Sequence, residues 1–243
     1  MKAHIVLVLV AVLSLMTGCI APGLELVRVA ASGNPVTVSE EYTGFTKVDV
    51  GSAFRVTIDQ GEDYRVDITL DENLRKYLDV GVQGDTLQIR LRPGVSYSSR
   101  PGEMRAEITM PELEGLDLSG AVRGDVKGFE SNDPLRVNLS GASNLAADIA
   151  VGDVQLEASG ASRVTMKGSG DALYLESSGA SNADLSEFTV TDADVRLSGA
   201  SQAQVNMDGR LNADVSGASK LLYSGDVSLG EVETSGASTV KKQ

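Results

Sequence analysis

The 243-residue chain has one histidine, one cysteine and no tryptophan, and aromatic residues make up only 4% of it. The histidine is His4 and the cysteine is Cys19, so both fall in an N-terminal stretch that reads as a leader. Past Cys19 there is no imidazole and no free thiol. That excludes Ser-His-Asp and Cys-His nucleophilic catalysis and any zinc site built on His or Cys. It also excludes a disulfide, although a secreted compartment would permit one. Positive charge is scarce: 21 Lys and Arg stand against 34 Asp and Glu, a formal net charge of −13 that becomes −14 once Lys2 is removed. So acidic a surface repels nucleic acid and anionic lipid headgroups, which predicts no nucleic-acid partner and no basic patch holding the protein on a membrane. The longest apolar run at the N-terminus, Ile5 to Leu13, is too short to span a bilayer.

That run follows Lys2 and precedes the small-residue stretch Ser14-Leu15-Met16-Thr17-Gly18, the order of a secretory signal peptide over residues 1–18. Leu15-Met16-Thr17-Gly18-Cys19 resembles the bacterial lipoprotein box. The resemblance implies that Cys19 becomes the lipidated N-terminal residue, bearing a diacylglyceryl group and palmitate. Several acyl chains exceed the single-chain limit for stable anchoring, so the membrane is expected as a partner through the lipid. Residues 19–40 then form the lipidated N-terminus, a tether and a first strand, and residues 41–243 a single domain. Ile20 stands where an Asp would resemble an inner-membrane retention signal, which points to the outer membrane in a cell with two membranes.

The most regular feature is a repeat. Ser-Gly-Ala occurs seven times, beginning at Ser119, Ser140, Ser159, Ser178, Ser198, Ser216 and Ser235, at intervals of 21, 19, 19, 20, 18 and 19 residues. The period is too long for a heptad and too short for a helix pair, but it fits one coil of a β-solenoid. Aligned on the triplet, the positions one and three before the serine are mostly apolar, as in Leu116 and Leu118 or Val137 and Leu139. The position between them is polar: Asp117, Asn138, Glu157, Glu176, Arg196, Asp214 and Glu233. Alternation across a strand turns that column outward. Past the triplet, Arg123, Asn144, Arg163, Asn182, Gln202, Lys220 and Thr239 form a second outward column, and Val126, Ala147, Met166, Leu185, Val205 and Tyr223 an inward one. Each coil of the repeat half, about residues 111–240, is therefore expected to have a strand on either side of the triplet, with the triplet as its corner. Gly120, Gly141, Gly160, Gly179, Gly199, Gly217 and Gly236 permit the turn, alanine fits a narrowing interior, and the serines offer hydrogen bonds to neighbouring coils. The expected fold is all-β, a right-handed parallel β-helix with coils of about 19 residues.

Upstream, Val48 and Val50, Val56 and Ile58, and Val66, Ile68 and Leu70 alternate as half-buried strands. Asp71 to Leu78 has helical spacing, with Asp71 as N-cap, and predicts a turn or two of helix. Pro93 to Gly102 reads as an excursion between coils, with Tyr97 and Arg100 as its candidate contact residues. The triplet repeat, Phe54 to Gly61, Asp71-Glu72-Asn73-Leu74 and Ile108 to Leu113 together resemble the putative auto-transporter adhesin, head GIN domain family, over about residues 44–240. The resemblance implies an envelope-associated, right-handed β-helical domain and supplies no catalytic residues.

The aspartates past the triplets scatter among columns, and of these only Asp208 and Asp226 share one on consecutive coils, where neighbouring Gly209 and Gly225 make them turn residues rather than a Ca²⁺ site. Glu157 and Glu176, in register, read as a solvated face. Tyr174 is the one tyrosine of the repeat half that alternation places clearly outward. The serine column Ser143, Ser162, Ser181, Ser201, Ser219 and Ser238 reads as structural rather than as a hydroxyl array for glycans. No catalytic residue, metal or cofactor is expected. The sequence thus predicts a lipid-anchored cell-envelope protein with a binding, adhesin-like or structural module, and an unidentified envelope, protein or glycan ligand. The alternative is a polysaccharide-active β-helix enzyme, which a groove with three converging carboxylates and a cation would favour. A last coil left open near Lys241 and Lys242 makes a homo-oligomer a further expectation.

Overall fold

The computed structural model describes residues 27–98 and 104–243. The residues read as signal peptide, Cys19, the first part of the expected tether and Arg100 lie outside them. The N-terminal part contains β1 (Val27–Ala30), β2 (Pro35–Ser39), β3 (Lys47–Val50), β4 (Arg55–Gln60), β5 (Arg65–Asp71), a 3₁₀ helix (Glu72–Tyr77), β6 (Leu78–Gln83), β7 (Thr86–Leu91), β8 (Val95–Ser98) and β9 (Arg105–Met110). The segment read as a tether and a first strand thus holds two strands, β1 and β2.

The repeat half alternates between two sheets. Strands ahead of each triplet, β10 (Gly115–Leu118), β12 (Leu135–Leu139), β14 (Val154–Ala158), β16 (Ala172–Ser177), β18 (Asp192–Leu197), β20 (Arg210–Val215) and β22 (Ser228–Thr234), stack in parallel in one, here the front sheet. Those after it, β11 (Arg123–Glu130), β13 (Asn144–Ala150), β15 (Arg163–Ser169), β17 (Asn182–Val190), β19 (Gln202–Met207), β21 (Lys220–Ser224) and β23 (Thr239–Lys242), stack in the back sheet. The register follows the triplet: Leu116 pairs with Val137, Val137 with Leu156, and Leu156 with Leu175. These inward residues are at most 1% exposed. Filling the space between two flat sheets with one apolar ladder per column removes their side chains from water, the dominant favourable term in folding. Backbone pairing continues through the corners, where Ala142 N–H donates to Gly120 O at 2.9 Å and Ala161 N–H to Gly141 O at 2.8 Å. The coils therefore leave few orphaned peptide groups between the sheets.

Order in space departs from order in sequence at the N-terminal end. The β3–β4 coil lies between the β7–β9 coil and the β10–β11 coil, since β3 pairs with both β7 and β10, and β4 with both β9 and β11. Beyond β7 and β9 the chain runs backwards: β6 is antiparallel to β7, β5 is antiparallel to β9, and β2 is antiparallel to β5. The solenoid is thus capped by a reversed coil whose corner is the 3₁₀ helix. Asp71 does not cap that helix through its side chain. Its carboxylate, on a residue 3% exposed, instead accepts the Gly33 N–H at 2.9 Å and ties the β1–β2 turn to the cap. The opposite end is bare by comparison, with Leu229 of β22 55% exposed.

Candidate functional site

The corner column is built tightly. Gly141, Gly160, Gly179 and Gly199 all have φ of +74°, in the left-handed region open to glycine. The alanines point outward and are exposed, as at Ala142 and Ala161, so the interior does not narrow around them. The inward place belongs to the fourth residue: Ser143, Ser162, Ser181, Ser201 and Ser219 are at most 2% exposed. The Oγ of Ser143 donates to Ser140 O at 2.9 Å and that of Ser162 to Ser159 O at 2.7 Å, within the same corner, while Ser219 Oγ accepts the Ser201 N–H at 3.3 Å and Ser238 Oγ donates to Val215 O at 2.7 Å, across coils. Some leading serines do reach across, Ser159 to Leu139 O at 3.4 Å and Ser216 to Leu197 O at 3.3 Å. Buried hydroxyls of this kind are closed to a glycan. The corner is scaffold.

The β3–β4 coil carries a variant of it. Register places Gly51 opposite Ser119 and Ser52 opposite Gly120, so Ser52 and Ala53 take φ of 61° and 59°, costly for residues with a Cβ. The excursion secures them. Its described part, Pro93 to Ser98, follows β7 at the corner of the β7–β9 coil, inside a coil rather than between coils, and β8 pairs with β1. Leu91 N–H donates to Ser52 Oγ at 3.0 Å, and the Tyr97 hydroxyl donates to Ser52 O. Tyr97 is thus a packing residue as much as an exposed tip. Burial pushes its phenol up to about 12 from the ordinary 10.0. The neutral form is the one the fold keeps, so its contribution to stability is whole below pH 10.0 and is lost as pH rises through about 12. Tyr97→Phe is expected to flatten that part of the stability curve, as measured by urea unfolding at stepped alkaline pH.

The outer face of the front sheet carries the side chains with most capacity to recognise a ligand. A groove of about 560 Å³ is bordered by Lys47, Glu114, Pro134, Arg136 and Tyr174. Arg136 donates to Glu157 at 3.1 Å, and Gln155 donates to the same carboxylate oxygen at 2.9 Å. Arg196 donates to the Tyr174 hydroxyl at 2.7 Å and stands 5.4 Å from its ring centre, while that hydroxyl donates to Glu176 at 3.2 Å. Glu157 is thus held by Arg136 and Gln155, and Glu176 by Tyr174, which Arg196 braces in turn. At the N-terminal end of the same face, burial holds the Asp49 carboxyl above its ordinary range against the pull of Arg90, and neighbouring Asp117 adds to the shift.

A second groove, about 430 Å³, gathers Asp194, Asp214, Glu231 and Glu233 with Arg196 and Arg210. It has the composition the enzyme alternative needs. Part of it is tied together along the stack by Asn212, which donates to Asp194 at 2.8 Å and accepts the Glu231 N–H at 3.1 Å. Among the described residues, no three acidic groups stand close enough to hold a metal ion. Asp208 accepts the Asp226 N–H at 2.8 Å, the use of an aspartate in a turn between coils.

A family model described as putative auto-transporter adhesin, head GIN domain matches residues 44–226. The chain belongs to this family. The head GIN match begins just ahead of β3 and ends between β21 and β22, so it spans the displaced coil, the reversed cap and most of the repeats. No curated protein matches the chain. Solved structures do: a putative adhesin from Bacteroides fragilis, at a TM-score of 0.82 and 18% identity, covers 88% of this chain and 100% of its own. A putative adhesin from Parabacteroides merdae gives 0.75 at 18% identity, with 89% and 99% covered. A putative lipid binding protein from Parabacteroides distasonis gives 0.71 at 18% identity, again with 89% and 99% covered. At these identities the likeness is one of head GIN fold. Among the described residues no helix is long and apolar enough to cross a membrane.

Proposed function

We propose that this head GIN protein is a lipid-anchored envelope protein whose solenoid displays a non-catalytic binding face on the outer surface of the front sheet. The groove beside Tyr174 carries the reading. It is the larger of the two described on this face, and it joins an aromatic ring to guanidinium, ammonium and carboxylate groups, the mixture that orients a polar ligand. Support also comes from the family description, which is that of an adhesin head. The ligand is an envelope, protein or glycan surface outside the packed interior. Anchoring follows from Cys19, only eight residues before β1.

Two measurements test the two halves separately. Cys19→Ala is expected to move the protein from the membrane fraction to the soluble fraction, and retention on membranes after a high-salt wash would overturn the anchor. Tyr174→Ala combined with Arg136→Ala is expected to lower adherence of cells displaying the protein by about tenfold. Unchanged adherence, with the protein at normal abundance, would remove this groove as the binding face.

A further inference from the structure

Two outward columns flank the corner, and they are matched coil by coil. Extending the register to the β3–β4 coil, each coil presents one residue on the front sheet and one on the back: Asp49 with Arg55, Asp117 with Arg123, Asn138 with Asn144, Glu157 with Arg163, Glu176 with Asn182, Arg196 with Gln202, and Asp214 with Lys220. Every one of these coils with a cation behind the corner has an acid in front of it, while the two end coils depart from the match, with Gln88 in front of Arg105 and Glu233 in front of Thr239. The one coil with a cation in front, Arg196, is neutral behind. The pairing is not consumed within the molecule. Arg55, Arg123, Arg163 and Lys220 are exposed, and among the described residues none of them makes an ion pair. Asp117 accepts from Asn138 and Glu157 from Arg136, and a carboxylate retains acceptor sites for a further guanidinium.

We propose that two copies of this chain associate corner to corner, side by side and pointing the same way, about a twofold axis parallel to the solenoid. Rotation about that axis sets the back-sheet column of one copy against the front-sheet column of the other at the same level. Arg123 then stands on the same outer face and at the same level as Asp117 of the partner subunit, Arg163 as Glu157 of the partner subunit, and Lys220 as Asp214 of the partner subunit, each long cation reaching over the small corner tips toward its acid. Twofold symmetry repeats each of these contacts. The other twofold arrangement that joins corner edges runs the copies antiparallel and sets cation column against cation column and acid column against acid column. Charge therefore selects the parallel pair. Between the columns lie only Ser, Gly and Ala tips, which keep no long side chain in the way. The β1–β8 pair fills the corner of the β7–β9 coil, so the matched levels run from the β10–β11 coil outward. Exposed ion pairs contribute little singly and are screened by salt, so the association is weak and salt-sensitive in dilute solution. Two copies tethered to one membrane meet at a much higher effective concentration, and the parallel sense leaves both β1 strands at the same end.

An axis along the corner makes each edge residue face its own equivalent. Full-length Ala161→Cys, expressed in cells and treated with a short homobifunctional maleimide, is expected to give a cross-linked dimer well above the wild-type background. Asn132→Cys, on an exposed turn at the opposite edge, stays monomeric. In the Ala161→Cys background, Arg163→Glu or Glu157→Arg alone is expected to lower the dimer yield by about tenfold, because each opposes like charges twice. The two together restore it. Overturning results are a dimer yield no higher than that of Asn132→Cys, a charge swap that fails to restore it, or cross-linking through Leu229→Cys at the bare end instead.

Discussion

Gly168→Ala is expected to destabilise the protein more than replacing a triplet glycine, although Gly168 is exposed and lies outside every triplet. Gly168 has φ of +109°, and a Cβ there would lie 1.9 Å from Ile149 O of the preceding coil. Backbone in a packed stack cannot step aside as a flexible side chain can. Three substitutions separate the causes. Gly84, at φ +64°, has nothing within 4 Å, so Gly84→Ala carries only the left-handed penalty of about 1–2 kcal/mol. Gly160→Ala adds to that penalty a Cβ 2.4 Å from Gly141 O, for a total of about 3 kcal/mol. Gly168→Ala should exceed about 4 kcal/mol, the range reserved for severe strain. Urea unfolding followed by circular dichroism ranks the three. A Gly168→Ala midpoint no lower than that of Gly84→Ala would show that the coils do not approach so closely.

Phe188→Ala is expected to cost about 3–5 kcal/mol, the usual loss when a buried aromatic is truncated and its neighbours cannot close the cavity. Phe188 is 0% exposed and among the largest side chains that are fully buried. Its ring occupies room left by a glycine: a Cβ on Gly170 would come within 3.1 Å of the ring edge. Gly170→Ala should therefore be harmful with Phe188 present and less so beside Phe188→Leu, where only the contact with Gly152 O at 3.1 Å remains. A double-mutant cycle in urea reads that coupling directly. Strict additivity would mean that the ring and Gly170 do not share the space.

The solenoid is written in the sequence from Leu116 onward because one triplet, at one spacing, repeats the same steric demand in every coil. The inward columns follow by alternation, which is why Val137 and Leu156 fall where the pattern puts them. The β3–β4 coil escaped because its corner reads Gly-Ser-Ala, with the first two residues exchanged. A signal was nonetheless present, since Asp49 and Arg55 flank it as Asp117 and Arg123 flank the first Ser-Gly-Ala. The reversed cap has no repeat to announce it, and antiparallel β5 and β6 alternate just as parallel strands do. Asp71 looked like a helix cap because Asp is favoured there, but a tertiary partner, Gly33, claimed its carboxylate. In the candidate site, Tyr174 could be placed outward by alternation. Its engagement with Arg196 and Glu176 could not, because it depends on which residues of neighbouring coils stand side by side. Arg123 and Arg163 fell in an outward column by the same alternation, and Arg55 joins them only through the register of the β3–β4 coil.

The displaced β3–β4 coil also sets how the chain can assemble. In the repeat half each strand finds its partner about one coil away along the chain, as Asn182 finds Gln202 and Gln202 finds Lys220. Arg55 must instead wait for Arg105 on one side and Arg123 on the other. Closing the longer loops costs more entropy before any contact forms, and such non-local pairings slow folding. Growth from the repeats toward the N-terminus is thus the easier route, and the last step is the insertion of an early segment between two later ones. A chain synthesised N-terminus first must hold that segment, with its alternating valines, unpaired until residues 105–130 arrive, and during that interval it is the most exposed to mispairing with another chain.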